Sequence, residues 1–228
     1  LGDGCDASCR WWLFDSLNMK KLIIVGAGGF GREVYAWAKG HPDSGSAWEI
    51  AGFLDDDAAV LDAYDYPVRV IGSVETYQPN ADEVFVCAIG APMIKEKVCQ
   101  ALLARSAAFI TLLHPSVILG ENVQLGMGVV LCPRVTLTSD ISVGDFAAIN
   151  CHSSAGHDVV IGDWATISGH CDLTGNTRYG VGAFLATGVR IVPGKCVGDF
   201  AYVGAGSVVI RSVKDGQKVF GNPARPLV

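Results

Sequence analysis

His157 and Asp158 are adjacent in the chain. A neutral imidazole can take a proton, and a carboxylate beside it can fix its tautomer and stabilise the cation. The pair is a candidate general base, although adjacent residues need not touch and a plain surface histidine has the same spacing. A second group is Gly26, Gly28 and Gly31, which satisfy G-x-G-x-x-G. Glycine allows a tight turn there, and backbone N–H groups at a helix start attract phosphate. The bland alternative is a structural tight turn. Asp55 stands at the end of the next apolar run, where a carboxylate can accept hydrogen bonds from a ribose or a base.

These residues need elements to hold them. Residues 21–25 form a short apolar run, expected as a buried parallel strand, and the glycine motif follows at once. Residues 32–39 read as a helix, with Val34, Tyr35 and Ala38 on one face and Gly40 as its stop. Strands are expected at 50–54, 83–89 and 107–113, and a helix at 95–105. Alternating strand and helix predicts a Rossmann-like parallel sheet over residues 19–114. That is about half of a full dinucleotide fold, which favours one nucleotide diphosphate over NAD. Residues 1–18 lack the pattern of a secretory signal and are expected to be an extension outside the fold.

Residues 115–228 are organised differently. Steps of six from Leu119 to Val209 give sixteen positions, fourteen of them Leu, Ile or Val. The exceptions are Ala155 and Tyr179. Gly often follows the apolar residue, as at Gly120, Gly126, Gly144, Gly156 and Gly162. Neither helix nor strand has that period. A triangular coil does, with one short strand and one corner per hexad and 18 residues per turn. Sixteen hexads give about five turns, a prism roughly 25 Å tall. Glycine is expected at the corners. Residues 18 apart should stack, which pairs His152 with His170, His157 with Gly175, and Asp158 with Asn176. Phe146, Trp164, Gly182 and Phe200 should share one edge.

Composition sets the outer limits. Gly supplies 28 of 228 residues, well above the usual ~7%. Hydrophobic residues make up 50%, which excludes disorder. No run of 18 apolar residues exists, so no membrane span is expected. Net charge is −6, which argues against nucleic acid as a partner. The eight cysteines have no tight metal or disulfide spacing after the two in the extension; reduced thiols in a cytoplasmic protein are expected.

The hexads resemble the left-handed hexapeptide-repeat β-helix, whose members typically form trimers. Residues 26–31, Phe53-Leu-Asp-Asp56, Ala88-Ile-Gly90, His114-Pro-Ser116, Gly156-His-Asp158, Ile161-Gly-Asp163 and residues 221–225 occur in the order seen in the NeuD/PglD family of sugar acyltransferases. The resemblance covers about 210 residues, from Met19 to the C-terminus. It implies a nucleotide-sugar-binding N-terminal domain and a trimeric left-handed β-helix that binds acetyl-CoA. The family's catalytic histidine falls on His157 and its acidic partner on Asp158. Sugar-nucleotide contacts fall on Gly28, Gly29, Phe30, Asp55, Asp56 and Gly90, and a polar active-site position on Asn150. Acetyl-CoA contacts fall on Gly175, Thr187 and Ala205, and on Thr166, where the family has a second histidine. Phe30 is a further departure, because the family loop reads G-G-H-G.

The reaction implied is direct N-acetylation of a nucleotide-activated amino sugar for surface glycan synthesis. His157 would take the amine proton, and the Gly175 N–H would face the oxyanion. Cys151 lies nearby in sequence, but the direct route needs no acyl-enzyme and no metal is expected. The main rival is O-acetylation of a sialic acid or other sugar. Two more distant rivals are an inactive sugar-nucleotide scaffold and a zinc hydratase resembling γ-class carbonic anhydrases. The last is prompted by the five-residue step from His152 to His157.

Overall fold

A computed structural model describes residues 19–227; the extension at 1–18, with Cys5 and Cys9, lies outside the described residues. The N-terminal part is a four-stranded parallel sheet in the order β3-β2-β1-β4. Its strands are β1 (Lys20–Val25), β2 (Trp48–Leu54), β3 (Val70–Gly72) and β4 (Glu83–Cys87). Helix α1 (Gly29–Lys39) follows β1, and α2 (Pro92–Leu103) follows β4. The order turns at β1 and β4, so their carboxyl ends open a crevice of the kind that takes ligands in α/β sheets. Both helices start about three residues before the sequence reading placed them. α1 begins inside the glycine motif, and Pro92 supplies the first turn of α2, where its missing N–H costs nothing. β3 escaped the reading because three residues give too little periodicity. The strand expected over 107–113 shrinks to a bridge at Phe109 and the pair Leu112–Leu113, which is already the first rung of the coil.

From Leu112 the chain winds as a parallel β-helix of two-residue rungs on three faces. The first face carries Leu112–Leu113, Val130–Leu131, Ala148–Ile149, Thr166–Ile167, Phe184–Leu185 and Tyr202–Val203. Ile118–Leu119, Thr136–Leu137, Ser154–Ala155 and Asp172–Leu173 begin the second. Gln124–Leu125, Ser142–Val143 and Val160–Ile161 begin the third. Register is 18 residues throughout these rungs, as the period requires. The sixth-residue series forms one continuous core. Leu119, on the lowest turn, is the exposed exception at 42%. Tyr179 fits inside because its hydroxyl donates to Thr177 Oγ1, 2.9 Å away.

The corners correct the expectation about glycine. Every sixth residue from Asn122 to Gly206 has positive φ, and ten of these fifteen are not glycine. The glycines that follow the apolar residues have ordinary φ and serve close packing instead. A Cβ on Gly126, Gly144 or Gly180 would overlap the carboxylate of Asp145, Asp163 or Asp199 on the next turn.

The sheet domain sits on the first face and on the edge between the third and first faces. Phe109 meets Phe146 edge-on at 4.9 Å, and Phe146 stacks on Trp164 at 4.5 Å and 6°. α2 turns Lys95, Cys99 and Leu102 inward. Lys95 is only 1% exposed, and its Nζ donates to Ala165 O (3.1 Å) and Thr166 Oγ1 (3.0 Å). Burial lowers its pKa to about 8, opposed by the Cys87 and Cys99 thiols. Between about pH 8 and the ordinary value of 10.5, the unfolded chain holds a proton that the folded chain lacks. Stability therefore rises with pH across that window. The melting-temperature difference between wild type and Lys95→Met should move in favour of wild type from pH 8 to pH 10. A difference that stays flat across the window refutes the assignment.

Candidate functional site

The glycine motif forms its turn as the physics requires. Gly26 has φ +96°, and a Cβ on Gly31 would overlap the Gly26 carbonyl oxygen. Gly28, Gly29 and Gly90 face open space. Asp55 shapes the loop: Oδ2 accepts the Ala27 N–H at 2.8 Å, and Oδ1 accepts the Asp57 N–H at 3.0 Å. Asp56 Oδ1 holds the chain after β3 through Ser73 Oγ (2.8 Å) and the Val74 N–H (3.1 Å). Both carboxylates thus have positioning work within the fold. Phe30 is half-buried, edge-on to Trp37 at 6.3 Å.

His157 sits on the edge between the second and third faces. Its Nδ1 lies 2.7 Å from Asp158 Oδ2. A carboxylate only accepts, so Nδ1 carries the proton and Nε2 presents a lone pair. The corner conformation makes this contact possible. Asp158 has φ +59°, and its N–H donates to Ser139 O on the turn below (3.1 Å). The imidazole lies against Gly175, where a Cβ would fall 2.5 Å from Nε2. The side chain is 61% exposed, so a substrate can reach it.

The Gly175 N–H has no acceptor among the described residues. On the third/first edge the equivalent groups are taken by carboxylates. Met127 N donates to Asp145 Oδ1 (2.8 Å) and Asp145 N to Asp163 Oδ1 (2.8 Å). One turn above Gly175 stands Pro193, which offers no such carboxylate. A proton acceptor and a free N–H donor therefore share one edge.

The remaining candidates lie elsewhere on the prism. Asn150 is on the edge between the first and second faces, and its Oδ1 accepts the Cys132 thiol at 3.2 Å. Thr187 and Ala205 are exposed higher on that same edge. Thr166 is on the first face, 3% exposed, with its hydroxyl engaged by Lys95. His152 and His170 stack at 4.8 Å and 4° on the Asn150 edge, so His152 and His157 point from different corners. Among the described residues no group of three or more His, Cys, Asp or Glu side chains is placed to hold a metal ion. Lys95 was missed by sequence reasoning. Only its break in the buried stripe of α2 could have revealed it.

The comparisons with known proteins agree with this architecture. Residues 21–102 match the model of the PglD N-terminal domain. A GDP-perosamine N-acetyltransferase of Escherichia coli O157:H7 is 30% identical over 218 residues, covering 90% of this chain and 95% of that protein. A UDP-N-acetylbacillosamine N-acetyltransferase of Bacillus subtilis (strain 168) is 30% identical over 117 residues, 50% of this chain and 51% of that one. Among solved structures, PerB from Caulobacter crescentus in complex with CoA and GDP-perosamine superposes with TM-score 0.81 at 28% identity. It covers 92% of this chain and 99% of that one. The acetyltransferase domain of PglB from Neisseria gonorrhoeae FA1090, in complex with acetyl coenzyme A, gives TM-score 0.81 at 28% identity, covering 92% and 100%. With a relative of this identity matched along nearly its whole length, the chain belongs to the NeuD/PglD family of sugar acetyltransferases.

Proposed function

We propose that this enzyme transfers acetyl from acetyl-CoA to the amine of a nucleotide-activated amino sugar. The observation that carries the reading is the His157–Asp158 pair beside the unpartnered Gly175 N–H. The complexes of PerB and of the PglB domain with CoA or acetyl-CoA support the co-substrate. The N-acetyltransferase relatives support an amine as acceptor.

In this reading the neutral amine attacks the thioester carbonyl carbon. Nε2 of His157 takes the proton that the nitrogen sheds, and Asp158 stabilises the resulting imidazolium. The Gly175 N–H donates to the oxygen that gains charge. Collapse expels the CoA thiolate, which recovers the proton from His157. The nucleotide diphosphate lies at the amino end of α1, over Gly28 and Gly29, with Asp55, Asp56 and Gly90 around the crevice. Thr187 and Ala205 line the CoA path.

The reading also calls for a second copy. The sheet domain covers the first face. In a triangular prism the second/third edge, which carries His157, is opposite that face. His157 therefore cannot meet the glycine loop of its own chain. Another prism packed alongside brings its second/third edge toward the Asn150 edge of this one. A ring of three such contacts closes. The site is complete only between copies, in a homotrimer.

Replacing His157 with Ala should lower kcat by about 10²–10⁴-fold while KM changes little; an unchanged kcat removes His157 from the chemistry. Gly175→Ala should push the imidazole aside and lower kcat by about 10²-fold with the fold intact by circular dichroism. Trimers co-expressed from His157→Ala and Asn150→Ala chains, each inactive alone, should recover about a quarter of wild-type activity. A site built from two chains finds both native residues in one pairing of four when chains mix at random. No recovery would refute the shared site.

A further inference from the structure

Of the three thiols on the Asn150 edge, none of which acetyl transfer uses, Cys132 and Cys151 stand at neighbouring corner positions of successive turns, while Cys171 is buried in the prism core. Cys132 follows the rung Val130–Leu131, and Cys151 comes two residues after Ala148–Ile149 one turn higher, beyond Asn150. The bonds Cys132 N to Ile149 O (3.0 Å) and His152 N to Pro133 O (3.1 Å) fix the register. Adjacent rungs lie about 4.8 Å apart. Cys151 is one residue, about 3.8 Å, beyond the position facing Cys132. The two Cα atoms are therefore about 6 Å apart, within the disulfide range.

Side-chain direction follows from the repeat. At the third/first edge Asp145, Asp163 and Asp199 each lean over the glycine 19 residues earlier, Gly126, Gly144 and Gly180. The same offset places the Cys151 side chain over Cys132, where a thiol replaces the glycine hydrogen. Cys132 is fully buried and Cys151 half-buried. When Cys151 ionises, the Cys132 thiol can turn from Asn150 Oδ1 to donate to it, which brings the Cys151 pKa down to about 7, although burial and Glu33 oppose it. Burial raises Cys132. Cys151 is thus the thiol that ionises and that a small reagent can reach.

We propose that Cys151 and Cys132 form a thiol–disulfide site, oxidised by a low-molecular-weight disulfide, that controls Asn150 at the acceptor cleft. The Cys151 thiolate attacks one sulfur of the reagent R–S–S–R and expels RS⁻. Cys132 gives up its proton and attacks Cys151 Sγ in the mixed disulfide, expelling the second RS⁻. One protein dithiol and one reagent disulfide become one protein disulfide and two RSH. The Cys132 thiol proton that Asn150 Oδ1 accepts is lost in the exchange, so Asn150 loses that anchor. Control of the acceptor rests on the acetyltransferase reading; the thiol chemistry does not.

Bis(2-hydroxyethyl) disulfide is the probe, on the full chain. A non-reducing tryptic map should join residues 106–134, which contain Cys132, to residues 135–178, which contain Cys151 and Cys171. Dithiothreitol should release the link, and Cys151→Ser and Cys132→Ala should each abolish it. The oxidised enzyme should show KM for the sugar nucleotide raised about tenfold, reversed by reduction. A link that persists in Cys151→Ser, or a mixed disulfide that stays on Cys151, overturns the pair. A link with KM unchanged overturns the coupling to Asn150. If the reduced enzyme turns over no amino-sugar nucleotide, the acetyltransferase reading fails while the peptide map still decides the thiol site.

Discussion

Every turn of the β-helix depends on one backbone constraint: at each of its three corners one residue adopts the left-handed conformation. Its N–H then reaches the carbonyl 19 residues earlier, on the turn below. Phe146 to Met127, Asp158 to Ser139, Trp164 to Asp145, His170 to Cys151 and Asn176 to His157 all repeat this bond at 2.7–3.1 Å. The conformation costs about 1–2 kcal/mol for a non-glycine residue. The hydrogen bond returns about 1 kcal/mol net. A corner is therefore near neutral by itself and forms only on a turn already in place. Core burial under each rung supplies the remainder, so stability accumulates turn by turn as in other repeat proteins.

That shared backbone leaves three edges free to differ in chemistry. One edge packs Phe146 and Trp164 against the sheet domain and ties successive turns with aspartates. A second carries Asn150, the stacked histidines and the exposed Thr187 and Ala205. On the third, Pro193 stands where an aspartate would occupy the N–H below, and His157 lies against Gly175. The change from aspartate to proline at equivalent positions separates an edge whose N–H groups are tied by carboxylates from one where the Gly175 N–H is left open beside His157.

Much of this was legible because the period of six is carried by core residues that tolerate no other spacing. Steps of 18 placed His152 on His170 and His157 on Gly175. The pairing of His157 with Asp158 was legible only as a candidate, since adjacent residues at a corner need not touch. Only the positive φ at Asp158 turns its carboxylate back toward the imidazole. Lys95 stayed hidden for another reason. A cation on a helix ordinarily reads as solvated, and its partners, Ala165 and Thr166, are some 70 residues away. The short β3 carried too little pattern, and the fold of Thr166 into the α2 contact could not be inferred from its place in a motif.

The buried amine also bears on how the sheet domain is held in place on the prism, which matters for the proposed site because its parts lie on both. Transfer chemistry loses rate steeply when reacting groups shift by about 1 Å. Apolar contacts at Phe146 and Trp164 hold the sheet domain to the prism, but they are weakly directional. Lys95 adds two directed bonds to one rung, and that rung is one turn above Asn150 along the first-face register. A hydrophobic residue at position 95 would avoid the desolvation of an ammonium and could be as stable or more so. It would leave the packing of α2 on the first face to apolar contacts alone, without the two directed bonds. The amine thus ties α2, and with it the sheet domain, to one rung of the prism, so its desolvation cost is set against the directed placement of one domain on the other.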